Sequence, residues 1–203
     1  GAAPLPLSIQ LAFNVSDTHL RYHPEWPAVL VQQGIGFIDD SAVSVWADRA
    51  SLFESTVERL SVETRVNTQG QITLALAGKV LGPAADGLRV LNESALAGTV
   101  GAAFADWTAI GSLETDVALW MNLSDKSVVP QVDVATRWHD VNLLVMPGNL
   151  AVQAVNGEFA YSTSRGISST ALTGELWGET VSATLEQGKR APGESYDPAT
   201  SVV

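Results

Sequence analysis

The sequence predicts a mainly β chain, antiparallel, with one helical insertion. Three observations carry this. Long stretches alternate apolar and polar residues with period two, as a sheet with one apolar face requires. Gly, Pro, Asn and Asp stand between those stretches, where hairpin turns need them. Only one stretch, Asp86 to Trp107, spaces its apolar residues as a helix does.

The elements follow in order. In "LPLSIQLAFNVSD", Leu5, Leu7, Ile9, Leu11, Phe13 and Val15 alternate with Pro6, Ser8, Gln10, Ala12, Asn14 and Ser16. This strand is longer than the usual five or six residues. "ITLALAGKV" sets Ile72, Leu74, Leu76 and Val80 on one side. "LETDVALWMNL" opposes Leu113, Val117, Leu119, Met121 and Leu123 to Glu114, Asp116 and Asn122. "VPQVDVATRW" opposes Val132, Val134 and Trp138 to Gln131, Asp133 and Arg137. Between these strands, Leu88, Leu91, Ala95 and Leu96, then Val100, Phe104 and Trp107, read as two short helices broken near Gly98, with Asp86, Asn92 or Ser94 as caps.

The chain has 203 residues, 46% hydrophobic and only 16% charged, with a net charge of −11. An acidic chain repels phosphate backbones, so nucleic acid is not an expected partner. With no cysteine, disulfides, thiolate metal sites and a Cys nucleophile are excluded. No apolar run approaches the ~18 residues of a membrane-spanning helix. The chain opens on Gly-Ala-Ala, which reads as a piece of something longer; "GKRAPGESYDPATSVV" reads as linker or tail.

The sequence also repeats itself. Slid so that Asp17 meets Asp140, it aligns Ala12 with Ala135, Leu20 with Leu143, Pro24 with Pro147 and Gly34 with Gly157. One inserted residue later, Ser44 meets Ser168, Leu52 meets Leu176, Phe53 meets Trp177 and Val57 meets Val181. A repeat buries its apolar face partly against its neighbour. The expected organisation is one elongated segment over residues 1–185, about one and a half units long (5–127 and 128–185), with 186–203 as linker or disordered tail.

Catalytic chemistry is hard to find. His19 and His23 are four apart with Glu25 nearby, but Pro24 interrupts the strand and no third ligand follows at useful spacing, so no metal site is expected. Asp39-Asp40 is ordinary turn chemistry, and His139 reads as a solvated strand-end histidine. There is no nucleophile elbow, phosphate-binding glycine loop or His-Glu-x-x-His. Asn14, Asn92 and Asn122 begin Asn-x-Ser sequons, which polar strand edges explain as well as glycans do. No catalytic residue and no cofactor are assigned.

Four stretches in their order and spacing suggest a family: "LRYHPEWPAV", "GIGFIDDSAVSVWADRA", "ADGLRVLNESAL" and "GEFAYSTSRGISSTALTGELWGETVSATL". Together they resemble the long AsmA-like proteins of Gram-negative bacteria, YhdP-like members most closely. One departure is Ala95, where such proteins usually carry Pro. The resemblance implies a long, strongly twisted antiparallel sheet curled into an open apolar groove, with one short helical segment. It also implies a non-enzymatic role in the periplasm, with a parent protein anchored in the inner membrane. Its partners would be phospholipid acyl chains, and the inner and outer membranes met by other parts of the parent chain.

On this reading the groove lining is Leu5, Leu7, Ile9, Leu11 and Phe13; Ile72, Leu74 and Leu76; Val117, Leu119 and Met121; and Val132 and Val134. The helical segment would plug or flank the groove. Periodicity alone equally fits a closed β-sandwich whose apolar faces pack on each other, a structural or adhesive module with a protein or glycan partner.

Overall fold

The structure is a computed structural model that describes residues 9–98 and 100–186. Leu5 and Leu7 of the expected lining lie outside these residues, as does the expected tail from residue 187 on.

The described residues form one eleven-stranded sheet in which neighbours in sequence are mostly neighbours in space. β1 (Gln10–Leu20), β2 (Val29–Asp39), β3 (Ala42–Leu52), β4 (Ser55–Val66) and β5 (Ile72–Pro83) form a continuous antiparallel meander. β6 (Thr108–Asn122), β7 (Gln131–Val145) and β8 (Leu150–Ser162) continue it. β8 then pairs with both β9 (Gly166–Ser169) and β10 (Leu172–Leu176), and β10 pairs with β11 (Glu179–Ala183). β1 and β11 do not pair, so the sheet stays open. A single open sheet replaces the two-sheet alternative and agrees with a curled groove.

The strands reach 15 residues in β6 and β7, and most of the long ones are interrupted. Register shifts fall at Val31/Gln33 between β2 and β3, Glu58/Ser61 between β4 and β5, Ile110/Ser112 between β6 and β7, and Trp138/Val141 between β7 and β8. Asp17, Arg59, Gly111, Asp140 and Ala154 stand at or beside the interruptions with positive φ. Such bulges bend a strand and raise its twist, turning one face of the sheet toward itself. Residues matched by the sequence offset sit alike: Asp17 and Asp140 have φ of 46° and 49°, and Phe53 and Trp177 in their turns both have 55°.

The inner face is apolar. Val31, Ala47, Val57, Leu60, Leu74, Leu119, Met121 and Val132 belong to one buried cluster. Ala84, Ala109, Val141, Leu143, Val155 and Leu172 form a second. The two margins of the sheet differ. One carries the turns at 40–41 and 67–71 and the loop 123–130. The other carries the turns at 53–54 and 146–149, and the β5–β6 connection.

That connection is the helical segment. It starts as α1 (Ala84–Asn92) and ends in a 3₁₀ turn (Val100–Phe104), so the expected pair of short helices is an α-helix and a 3₁₀ turn. The expected caps are different. The residue before α1 is Pro83, with no side-chain cap. Asp86 lies in the first turn and is turned away, accepting from the Glu54 backbone N–H (2.9 Å) and the Ser55 hydroxyl (2.7 Å) in the β3–β4 turn. Ser94 accepts from the Leu96 N–H in the break that follows α1.

Candidate functional site

The helical segment lies over the inner face and bridges both core clusters. Leu91 and Leu96 pack with the first, Leu88 and Trp107 with the second. Four attachments hold it. Asp86 binds the β3–β4 turn. The Arg89 guanidinium sits 3.7 Å from the centre of the Phe53 ring at the same turn, a cation–π contact. The Trp107 indole N–H donates to the Met146 carbonyl in the β7–β8 turn. Phe104 stands 4.9 Å from Trp107 and 6.4 Å from Phe159 of β8, whose ring is 6.2 Å from Trp138. The segment therefore covers the groove at this margin.

Beneath it is an apolar cavity of about 200 Å³. Its floor comes from four successive strands: Val80, Val117, Val134 and Tyr161. Leu88, Leu91, Phe104 and Trp107 form its roof, and Tyr22 and Trp26 close one side. Four of its polar groups pair with each other, and the buried Trp138 indole N–H has no hydrogen-bond partner among the described residues. The Thr115 and Thr136 hydroxyls bond at 2.8 Å, and Ser55 bonds Asp86. Burial pushes the Tyr22 phenol up to about 12, so it stays neutral. The cavity thus presents almost nothing to a polar or charged ligand and a continuous aliphatic and aromatic wall to an apolar one.

The expected lining residues are divided by depth. Val117 and Val134 are half-buried and line the cavity; Leu76, Leu119 and Val132 also line it, though buried at 9%, 3% and 3% exposure. Leu74 and Met121 share that inner face but pack in the core. Phe13 is half-buried on β1, its ring over Gly36, where a Cβ would clash with it. Ile9, Leu11 and Ile72 lie at the open margin with 59%, 51% and 44% exposure. Sequence reasoning missed Phe159 and Tyr161, whose period-two spacing in "GEFAYS" marks an inner face, and the roof residues of the segment itself.

The outer face of β5 to β8 is a charge ladder, while that of β2 and β3 exposes Ile35, Phe37 and Trp46. Lys79, Glu114, Arg137 and Glu158 link β5 to β8 in sequence, and Arg59–Asp116 and Arg165–Asp133 flank it. A shallow depression of about 560 Å³ over Ala77, Ala118, Ala135 and Ala160 lies among these charges. Its ions are mutually paired and largely exposed, which is how a solvated face behaves. The hydrogen bond from the Lys79 ammonium, helped by the charges of Lys79 and Arg137, holds the Glu114 carboxyl below the usual carboxylate range. A depressed folded value means stabilisation that is present above the unfolded value and lost as pH falls through the folded one. Glu114 is therefore expected to titrate below the ~4.3 of a free glutamate in a carboxyl-detected NMR titration, and Lys79→Ala to move it back up.

His139 lies inside β7 beside the Asp140 bulge, not at a strand end. Among the described residues no three His, Asp or Glu side chains are grouped to hold a metal, and no helix is long and apolar enough to cross a membrane.

Compared with curated proteins and with solved structures, the chain finds no significant match. Compared with protein-family models, it matches the YhdP protein family over residues 7–196. A match over nearly the whole chain, together with the open β-groove, places it: the chain belongs to the YhdP protein family.

Proposed function

We propose that the chain is a non-enzymatic segment of a protein that carries phospholipid between membranes, and that its inner face shields acyl chains from water. The observation that carries this is the cavity: a space walled by four strands and the helical segment, with a predominantly apolar lining in which the Thr115 and Thr136 hydroxyls bond each other and Ser55 bonds Asp86. Family membership supports a lipid-related role.

The magnitudes suit the task. Burial contributes roughly 0.8 kcal/mol per methylene, so eight methylenes supply about 6 kcal/mol. Ligand pockets run to ~300–1,000 Å³, so a cavity of about 200 Å³ holds part of one chain. Partial, diffuse burial favours passage over trapping. In this reading the segment comprises about one and a half repeat units. The parent protein works in the periplasm, anchored in the inner membrane, and other parts of it meet the two membranes.

The test is photo-crosslinking with a phosphatidylethanolamine that bears a diazirine on one acyl chain. The proposal expects adducts on Val80, Val117, Val134 or Tyr161. Adducts confined to the outer face, or none, would remove the basis for the reading.

A further inference from the structure

The two margins of the groove expose different amounts of the same inner face. At the margin with the turns 53–54 and 146–149, inner-face residues are covered: Ala109 and Leu143 are 8% and 9% exposed, and Leu52 is half-buried, beneath the helical segment and the Tyr22–Trp26 loop. At the opposite margin they are bare. Leu11, Val43, Val66, Ile72 and Leu123 are 51%, 37%, 42%, 44% and 36% exposed.

These five share the groove's face. Ile72 is two residues from buried Leu74 and pairs with Val66; Val43 is two from buried Val45; Leu11 is two from Phe13 and four from Val15, which packs on the core. Leu123 extends β6 by donating its N–H to the Ile72 carbonyl. The bare margin is thus one apolar lip crossing β1 to β6, on the same face of the sheet as the cavity and separated from it by the buried row of Leu74 and Met121. Contiguous exposed apolar surface of this kind marks an interaction site.

We propose that this lip is where acyl chains enter and leave the groove, sideways between the strand ends, while the helical segment keeps the other margin shut. The proposal rests on the lipid-carrying reading above. The lip lies on the same apolar face as the cavity, one row of side chains away, which argues for the same occupant. Charge argues against a second copy of the chain: the lip carries Asp39, Asp40, Glu63 and Asp125 against Arg65 and Lys126, a net negative edge on a chain of net charge −11, so two copies would meet like charges. Between lip and cavity stand Leu74 and Met121, buried among aliphatic neighbours. A chain that crosses replaces their mutual contacts with its own methylenes, an exchange of apolar contact for apolar contact.

The test compares Leu11→Glu/Ile72→Glu with Ile110→Glu, a 74% exposed residue on the outer face at the covered margin. A phosphatidylcholine with a fluorescent acyl chain, in zwitterionic vesicles, is the probe. Stopped-flow fluorescence reads exchange between protein and vesicles; native mass spectrometry reads occupancy and oligomeric state. The lip variant is expected to exchange at least tenfold more slowly, with occupancy within twofold of the parent, and Ile110→Glu to match the parent. Leu11→Lys/Ile72→Lys should slow exchange equally, which separates polarity from the sign of the charge. Unchanged exchange in both lip variants would overturn the lip while leaving the carrier reading intact. So would a dimer in the parent that the lip variants dissolve. A parent chain that takes up no probe would overturn the carrier reading and the lip with it.

Discussion

Leu119→Asp is expected to unfold the chain. Leu119 is 3% exposed on the inner face of β6, paired across to Leu76 and Val132, both also buried. A carboxylate there has no partner and no water, and burying one unpaired is among the few single changes that cost on the order of 4 kcal/mol or more. Urea denaturation would show the loss as a collapsed midpoint. The same substitution at Ile9, 59% exposed, should stay within about 0.5 kcal/mol. The contrast matters because both positions belong to the same expected lining. One is core that happens to face the groove, and the other is margin.

Asp86→Ala is expected to be the most damaging change in the helical segment. Asp86 is 6% exposed and accepts two hydrogen bonds from the β3–β4 turn, one of them from Ser55, itself 2% exposed. Alanine leaves the buried Ser55 hydroxyl without its acceptor, at roughly 1–3 kcal/mol, and the N–H of exposed Glu54 likewise, at about 1 kcal/mol. A total of about 2–4 kcal/mol follows. Both bonds go to the one oxygen Oδ2, so Asp86→Asn, with its amide oxygen in that place, should restore most of the loss. The loss should be local first: amide exchange across α1 should accelerate before that of β6 and β7. Uniform acceleration across the sheet would mean that the segment is not a separable cover.

Much of the fold was legible because period two is unambiguous over long runs. Leu113, Val117, Leu119 and Met121 announce β6, and Val132, Val134 and Trp138 announce β7. The helical insertion was legible from Leu88, Leu91, Phe104 and Trp107, since no other stretch changes period. Other features were hidden. Period two assigns a face but not a depth along the strand, so Ile72 and Leu74 looked equivalent although one is margin and the other core. The bulges were invisible too: Asp17, Arg59, Asp140 and Ala154 are ordinary residues in left-handed conformation, chosen by the pairing on either side and not by local propensity. Asp86 was legible as a helix-start residue, but its partners lie 31 and 32 positions back in another hairpin. The cavity was legible only in half. The alternating strands gave part of its floor, while its roof needed the helical segment to be placed over them.

The most direct measurement is native mass spectrometry of the purified chain after incubation with phospholipid vesicles, followed by organic extraction. An apolar groove that shields acyl chains predicts adducts at the mass of intact phospholipid, removed by extraction and reduced by Val117→Glu in protein that remains folded. A mass that stays free of lipid at every vesicle concentration, from folded and monomeric protein, would contradict it.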